Sequence, residues 1–272
     1  MKPFITGLVL TYNGARLLAE CLDSLAFCDR VIVVDSFSTD ATEAIARKSG
    51  AVFIPHAWDG PAAQFRFALG LFEEEYPTDW VISLDQDEQC TPELREAFLN
   101  AVKSAEGDPS CGNLAGFYVP RRSWYYNRFL LHSGWYPDEL LRCFRRGKMR
   151  VEVSGAHYSF HPLGETRRLS GDIVHYPYAS FREHLDKINS YAQQGAAELE
   201  AKGVRGGVAK GLAHGFGRFL RLYVLKRGFL DGRAGFINAV HGAFYAFLKY
   251  VRIGEGGWGK PYSLDSRRSS GQ

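Results

Sequence analysis

No C-x-x-C pair occurs in this chain, and its five cysteines (Cys21, Cys28, Cys90, Cys111, Cys143) fall at unrelated spacings. The odd count and scattered positions argue against a zinc site and against a disulfide framework. Free thiols in a reducing compartment are the simplest account. Met1-Lys2-Pro3 leads straight into a short apolar run without the flanks of a secretory signal, so a cytoplasmic location is expected. Internal repeats are absent. No apolar run reaches the ~20 residues that a bilayer-spanning helix needs. Acid is nearly missing from one region: residues 202–252 hold 10 Lys+Arg against Asp231 alone, whereas residues 1–201 hold 20 against 27 Asp+Glu. The formal charge of +3 therefore hides an acidic body and a basic block. Such a block implies a polyanionic surface as partner.

What is present is enough for a core. The 272 residues are 46% hydrophobic and 23% charged, which excludes a disordered chain and allows one large α/β domain plus an extension. Aromatic residues reach 14%; they serve as stacking platforms for sugars and bases as well as core filling. Apolar runs at Phe4–Leu10, Arg30–Val34, Ala51–Ile54 and Trp80–Leu84 read as strands. Helical spacing appears between them, over Ala15–Leu25, Ala41–Lys48 and Pro61–Glu75, and again from Thr91 to about Lys103. Strands alternating with helices imply a parallel sheet with crossovers on both faces, whose ligands bind beyond the carboxyl ends of the strands. Gly116–Pro120 reads as another strand. Residues 121–178, dense in aromatics with weak periodicity, read as loops and short strands forming an acceptor-side lid.

Three strand ends carry chemistry. Asp85-Gln86-Asp87-Glu88 sets Asp85 and Asp87 in a tight turn, where hard cations such as magnesium or manganese share carboxylates with substrate phosphates. The competing reading is an acidic helix start. Thr11 and Asn13 suit a base or ribose, or a plain turn. Asp35, followed by Ser36, Ser38 and Asp40, suits the same ligand, or a helix cap. Arg66 reaches for a phosphate or is a surface charge. His157, His161 and His175 with Asp172 match no common zinc spacing and read as satisfied or surface histidines.

Val9-Leu10-Thr11-Tyr12-Asn13, Val33 to Asp40 and Ser83 to Glu88 together resemble the donor-site motifs of glycosyltransferase family 2. Gly134-Trp135-Tyr136-Pro137-Asp138 with Arg142 and Phe144-Arg145-Arg146, Gly171 to Tyr176, and Arg227 to Phe236 resemble the branch containing lipopolysaccharide core glycosyltransferases. The resemblance spans residues 4 to 252. It implies a GT-A fold, a nucleoside-diphosphate (NDP) sugar donor, a divalent metal (magnesium or manganese) and inversion at the anomeric carbon. Thr11 and Asp35 would hold the nucleoside, and Asp85 with Asp87 the ribose–diphosphate–metal unit. Inversion needs a general base at the acceptor hydroxyl. This chain departs from its branch there: His157-Tyr158 stands where relatives show His-Glu, and Gln64-Phe65-Arg66 where they show Gln-Lys-Asn. Asp138 is the preferred base, with Glu152 and Glu165 behind it; alternatively Pro137-Asp138 opens a helix.

The expected organisation is a catalytic domain over 1–201, a basic amphipathic helical extension over 202–253 and a flexible tail over 254–272. In the extension, Phe236, Val240, Phe244, Phe247 and Val251 form one stripe, with Asn238, His241, Tyr245 and Lys249 opposite. Such a helix suits peripheral contact with an anionic membrane, on the inner face of the cytoplasmic membrane, or packs on the catalytic domain with a basic solvent face. The expected reaction moves a sugar to a lipid- or glycan-linked acceptor. A catalytically impaired binding protein of the same fold remains open because of Tyr158. A nucleotidyltransferase is the weaker alternative, because Thr11-Tyr12-Asn13-Gly14 is no Gly-rich phosphate loop. No nucleic-acid motif accompanies the basic block, so nucleic acid is not an expected partner.

Overall fold

The computed structural model describes residues 2–154 and 157–255; the tail beyond 255 and the side chains of His157 and Tyr158 lie outside the described residues. The chain divides into two compact units, one of residues 1–131 with 135–177, the other of 132–134 with 178 onward.

The first unit opens with β1 (Ile5–Thr11), α1 (Leu18–Ser24), β2 (Arg30–Asp35), α2 (Thr42–Lys48), β3 (Val52–Pro55), α3 (Pro61–Glu74) and β4 (Trp80–Asp85). β5 (Glu88–Cys90) and α4 (Pro92–Gly107) follow, then β6 (Leu114–Tyr125), β7 (Arg128–Phe129) and β8 (Asp138–Arg145). β9 (Met149–Ser154) and β10 (His157–Pro162) form a separate antiparallel pair, and β11 (Glu165–Arg168) and β12 (Ile173–His175) complete the unit. The main sheet runs β3-β2-β1-β4-β8-β6-β12-β5, with β7 and β11 also paired to β6. Parallel pairings predominate, and β8 enters antiparallel between β4 and β6.

Both faces of the parallel half are buried, which is why its strands read as unbroken apolar runs. Successive residues alternate between two cores. Val9, Val33 and Ile82 join α1 and α4 through Leu22, Leu94 and Phe98. Leu8, Ile32 and Val81 join α3 through Phe65, Ala68 and Phe72. Thr91 starts α4 by accepting the Leu94 N–H on its hydroxyl, a cap followed directly by Pro92.

Residues 121–178, expected as loops and short strands, form the end of β6 and the strands β7 to β12. The pairings of β8 and β12 put them inside the main sheet, so this stretch supplies framework. β8 mixes polar with apolar residues and β12 is only three residues long, which hides their period. Asp138 begins a strand, and the alternative of a helix start is excluded.

The second unit holds α5 (Phe181–Ala201), α6 (Val208–Leu220), a π turn at Arg221–Leu225, a 3-10 turn at Gly228–Asp231, and α7 (Gly232–Val251). The division thus falls ahead of the change in composition near residue 201, because α5 packs on α7. Ser180 caps α5 through the Glu183 N–H. His184 and His241 meet between the two helices, Nδ1 to Nδ1 at 2.9 Å. Burial lowers both imidazoles, that of His184 to about 4. In α7 the apolar stripe is not packed inward: Asn238 and His241 are buried, while Phe236, Val240 and Phe244 are exposed, which is against the alternative of a stripe packed on the catalytic domain with a polar solvent face.

Candidate active site

The strand order turns between β1 and β4: β2 and β3 extend to one side of β1 and β4 lies on the other. A crevice at the carboxyl ends of such a sheet is where ligands bind. Register brings the chemistry there. Thr11 is opposite Asp35, and Leu10 is opposite Asp85. A cleft of about 320 Å³ opens at this edge, lined by Thr11, Tyr12, Ser36, Phe65, Asp85, Asp87 and His175 among others. A second hollow of about 520 Å³ shares Tyr12, Ser36 and Trp58 with it. Both volumes lie in the range of small-ligand sites.

The nucleoside end is braced by side chains. Thr11 Oγ1 donates to Asp35 Oδ1 at 2.8 Å, and the Ser38 N–H donates to Asp35 Oδ2 at 2.7 Å. Asp35 is buried and spends its oxygens on this bracing, leaving Thr11 and Ser36 as the lining. Asn13 adopts φ 48°, a left-handed turn position that Asn tolerates. Its Oδ1 accepts the Thr39 N–H at 2.9 Å and its own N–H donates to Ser38 Oγ at 2.7 Å. Asn13 therefore ties two loops together and is not among the cleft's lining residues. Gln86 holds the neighbouring Tyr12 backbone from both sides, accepting its N–H at 2.8 Å and donating to its carbonyl at 3.1 Å. Gly14 permits this approach, because a Cβ there would stand 2.5 Å from Gln86 Oε1.

Arg66 is not brought to the cleft. It lies on the exposed side of α3, one residue past the buried Phe65, and a helix turns ~100° per residue. Its neighbour Gln64 turns inward instead, donating to Ser36 Oγ at 2.7 Å.

At the acidic turn the two aspartates differ. Arg142 reaches both oxygens of Asp85, at 2.6 and 3.3 Å. Desolvation works against the Asp85 charge, but the Arg142 guanidinium prevails and holds its carboxyl below the ordinary carboxylate range. Glu88 is fully buried behind it and accepts the Asp85 N–H at 2.9 Å. Burial pushes the Glu88 carboxyl up, against the pull of Arg142 and Arg121. Arg121 bridges onward, donating to Glu88 Oε1 at 2.8 Å and to Asp138 Oδ2 at 2.7 and 3.0 Å. One network of charge-assisted bonds thus runs from Asp85 to Asp138, compensating three carboxylates with two guanidinium groups. Cys21 lies beneath, its Sγ 3.5 Å from the Asp85 carbonyl; burial and the nearby carboxylates keep it a neutral thiol. That excludes it as a nucleophile.

Asp87 pairs with a histidine. Its Oδ2 lies 3.7 Å from His175 Nε2, and His175 Nδ1 lies 2.9 Å from Ser123 Oγ. An imidazole held at Nδ1, with its Nε2 toward a carboxylate, has the geometry by which the two side chains could hold a metal ion together. No group of three His, Cys, Asp or Glu side chains forms a metal cluster among the described residues. The chain supplies two donors, a number that suits a cation completed by substrate phosphates. Asp138, Glu152 and Glu165 are not among the cleft's lining residues; Asp138 is joined to the acidic turn through Arg121, and Glu152 and Glu165 are exposed.

The sequence does not single out Trp58, and in it His175 reads as a satisfied or surface histidine. Trp58 sits in a Gly- and Pro-flanked loop without periodicity. His175 is distant in sequence from Asp87, and only the antiparallel β12–β5 pairing, His175 opposite Glu88, brings them together.

A lipopolysaccharide core biosynthesis glycosyltransferase, LpsC of Rhizobium meliloti (strain 1021), is 29% identical over 261 residues, covering 92% of this chain and 91% of that protein. An uncharacterised glycosyltransferase of Rickettsia typhi is 25% identical, covering 92% and 87%. Among solved structures, glucosyl-3-phosphoglycerate synthase from Mycobacterium tuberculosis, in complex with Mn2+, uridine diphosphate and glucosyl-3-phosphoglycerate, is 20% identical with a TM-score of 0.34. The match covers 46% of this chain and under half, 44%, of that one. The sequence profile of glycosyl transferase family 2 matches residues 8–163, more than half of the chain, and the chain belongs to that family.

Proposed function

We propose that this glycosyltransferase moves a sugar, with inversion, from an NDP-sugar to a lipid- or glycan-linked acceptor in lipopolysaccharide or related envelope-glycan synthesis. The observation that carries the donor half is the meeting of Thr11, Asp85, Asp87 and His175 in one cleft at the turning point of the sheet. The nucleobase stacks against the exposed rings of Tyr12 and Trp58, and the ribose hydroxyls meet Ser36 and Asp85. Asp87 and His175 are the residues suited to a magnesium or manganese ion, with Asp85, clamped by Arg142, beside them. When bound, such an ion neutralises charge on the departing diphosphate. Asp85 then orients the nucleotide, because Arg142 restricts its rotamer.

Asp138 is the proposed base. Both hydrogen bonds from Arg121 fall on Oδ2, so Oδ1 has no partner among the described residues and can accept the acceptor hydroxyl proton. The near full-length likeness to a lipopolysaccharide core enzyme supports this acceptor class. A cytoplasmic protein peripheral to the inner membrane face suits that acceptor; no helix among the described residues is long and apolar enough to cross a membrane.

The test is a thermal-shift panel of UDP-, GDP- and other NDP-sugars with and without manganese, followed by assay of NDP release on an envelope-glycan acceptor. Metal-dependent stabilisation and free NDP are expected, both lost in Asp87→Ala. Full activity in that variant refutes the metal role. Diphosphate release from an NTP would favour a nucleotidyltransferase, and donor binding without turnover a binding protein.

A further inference from the structure

We infer that the second unit inserts shallowly into an anionic lipid surface through one side of α6, the turns after it, and α7. The inference rests on the peripheral-membrane reading above and names the surface that performs it.

Close backbone packing decides which side of each helix faces out. Gly211 and Gly215 form the inner side of α6; a Cβ on either would stand 3.0 Å from a carbonyl of α7, those of Phe247 and Ala243. Small residues inside leave the large ones outside. Leu212, Phe216 and Leu220, four residues apart, form an exposed stripe, with Phe216 66% exposed. On α7 the same spacing exposes Phe236, Val240 and Phe244. Between the helices Leu225 is 75% exposed, and Phe229 and Leu230 are exposed beside it. Ring contacts join the two helices and the turn within the patch: Phe236 meets Phe219 at 6.0 Å and Tyr223 at 5.6 Å, and Tyr223 meets Phe229 at 6.3 Å. Single exposed apolar side chains are ordinary, but a contiguous patch of this kind marks a docking surface.

Charge selects the occupant. Lys226, Arg227 and Arg233 are exposed within the same turns and the start of α7. The stretch's lone acid, Asp231, is buried and accepts the His132 N–H at 2.9 Å. Aromatic and aliphatic side chains edged by cations, without exposed acid, suit an anionic leaflet. A second copy of the chain would bring the same cations against one another. The helices are not apolar enough to span, so they lie in the interface.

The full chain is to be co-sedimented with vesicles of phosphatidylglycerol and phosphatidylcholine, and with phosphatidylcholine alone. Salt-sensitive binding to the anionic vesicles is expected. Phe216→Glu with Phe244→Glu lowers the partition at least tenfold, and Lys226→Gln with Arg227→Gln and Arg233→Gln lowers it several-fold. These side chains are exposed, and an unchanged melting temperature verifies folding. Absence of binding to anionic vesicles overturns the inference. So does a dimer in light scattering that Phe216→Glu with Phe244→Glu dissolves, because the patch would then join two copies. Binding of the NDP-sugar, measured on the same variants without lipid, should be unchanged, so loss of lipid binding alone leaves the transferase reading intact.

Discussion

Replacing Arg142 with Met tests the charge network most directly. Arg142 is 7% exposed and joins Asp85 at 2.6 Å to the fully buried Glu88 at 3.1 Å. Met fills most of the volume but leaves Glu88 with Arg121 as its remaining cation. Removing one partner of a buried ion pair costs ~3–5 kcal/mol, because a buried charge is left uncompensated. Arg121 and the half-exposed setting of Asp85 reduce that here, so a loss of about 3 kcal/mol is expected. For a chain of this size each kcal/mol moves Tm by roughly 2–4 °C, which predicts a fall of roughly 6–12 °C. The assay is a thermal melt of four proteins: the natural sequence, Arg142→Met, Glu88→Gln and the double variant. Glu88→Gln removes the charge that Arg142 neutralises, while its amide oxygen still accepts the Asp85 N–H. The double variant should therefore recover a large part of the loss, with a coupling of about 2 kcal/mol. A Tm change under about 2 °C for Arg142→Met, or additive effects in the double variant, refutes the reasoning.

His175→Gln should weaken the metal dependence of donor binding by about 10–100-fold in apparent affinity while leaving the fold intact, as a manganese titration would measure; unchanged affinity removes His175 from the site. Asp138→Asn should lower kcat by at least a hundredfold with little change in donor binding, and an equal loss of both would make Asp138 a structural partner of Arg121. The His184–His241 pair predicts a pH effect on stability. Both imidazoles are depressed in the folded state, so the unfolded state binds more protons below the ordinary histidine value of ~6.5. Stability is full above that value and is lost as pH falls toward about 4. His184 alone accounts for up to about 3 kcal/mol across that window. Melts from pH 7.5 to 4.5 should show it, with a shallower slope in His184→Gln; parallel slopes would contradict it.

The parallel half of the sheet was legible in the sequence because it is buried on both faces. Its strands are short apolar runs and its helices have one apolar side, so each element announces its period. Thr11, Asp35 and Asp85 were legible for the same reason: each closes such a run, and in a doubly covered sheet strand ends share an edge. The antiparallel half was not. β8 mixes polar with apolar residues, β12 is only three residues long, and each has a partner distant in sequence, so no local pattern reveals that they enter the sheet. That is why residues 121–178 read as a lid, and why His175 read as a spare histidine before β12 set it beside Asp87.

Local chemistry thus determined which residues end which strands, the family's donor motifs and the basic character of the C-terminal region. Tertiary structure decided how those residues are used. Long-range pairing gave Asp85 to Arg142 and Asp87 to His175, and it turned Arg66 outward because Phe65 and Gln64 occupy the inward positions of α3. In α7 it chose between the two orientations the stripe allows, with the polar side inward and the apolar stripe outward. Gly211 and Gly215 allow two backbones to approach so closely that they, with Asn238 and His241, occupy the interior. The large apolar side chains are left outside, and periodicity alone cannot tell which side of an amphipathic helix its neighbours will cover.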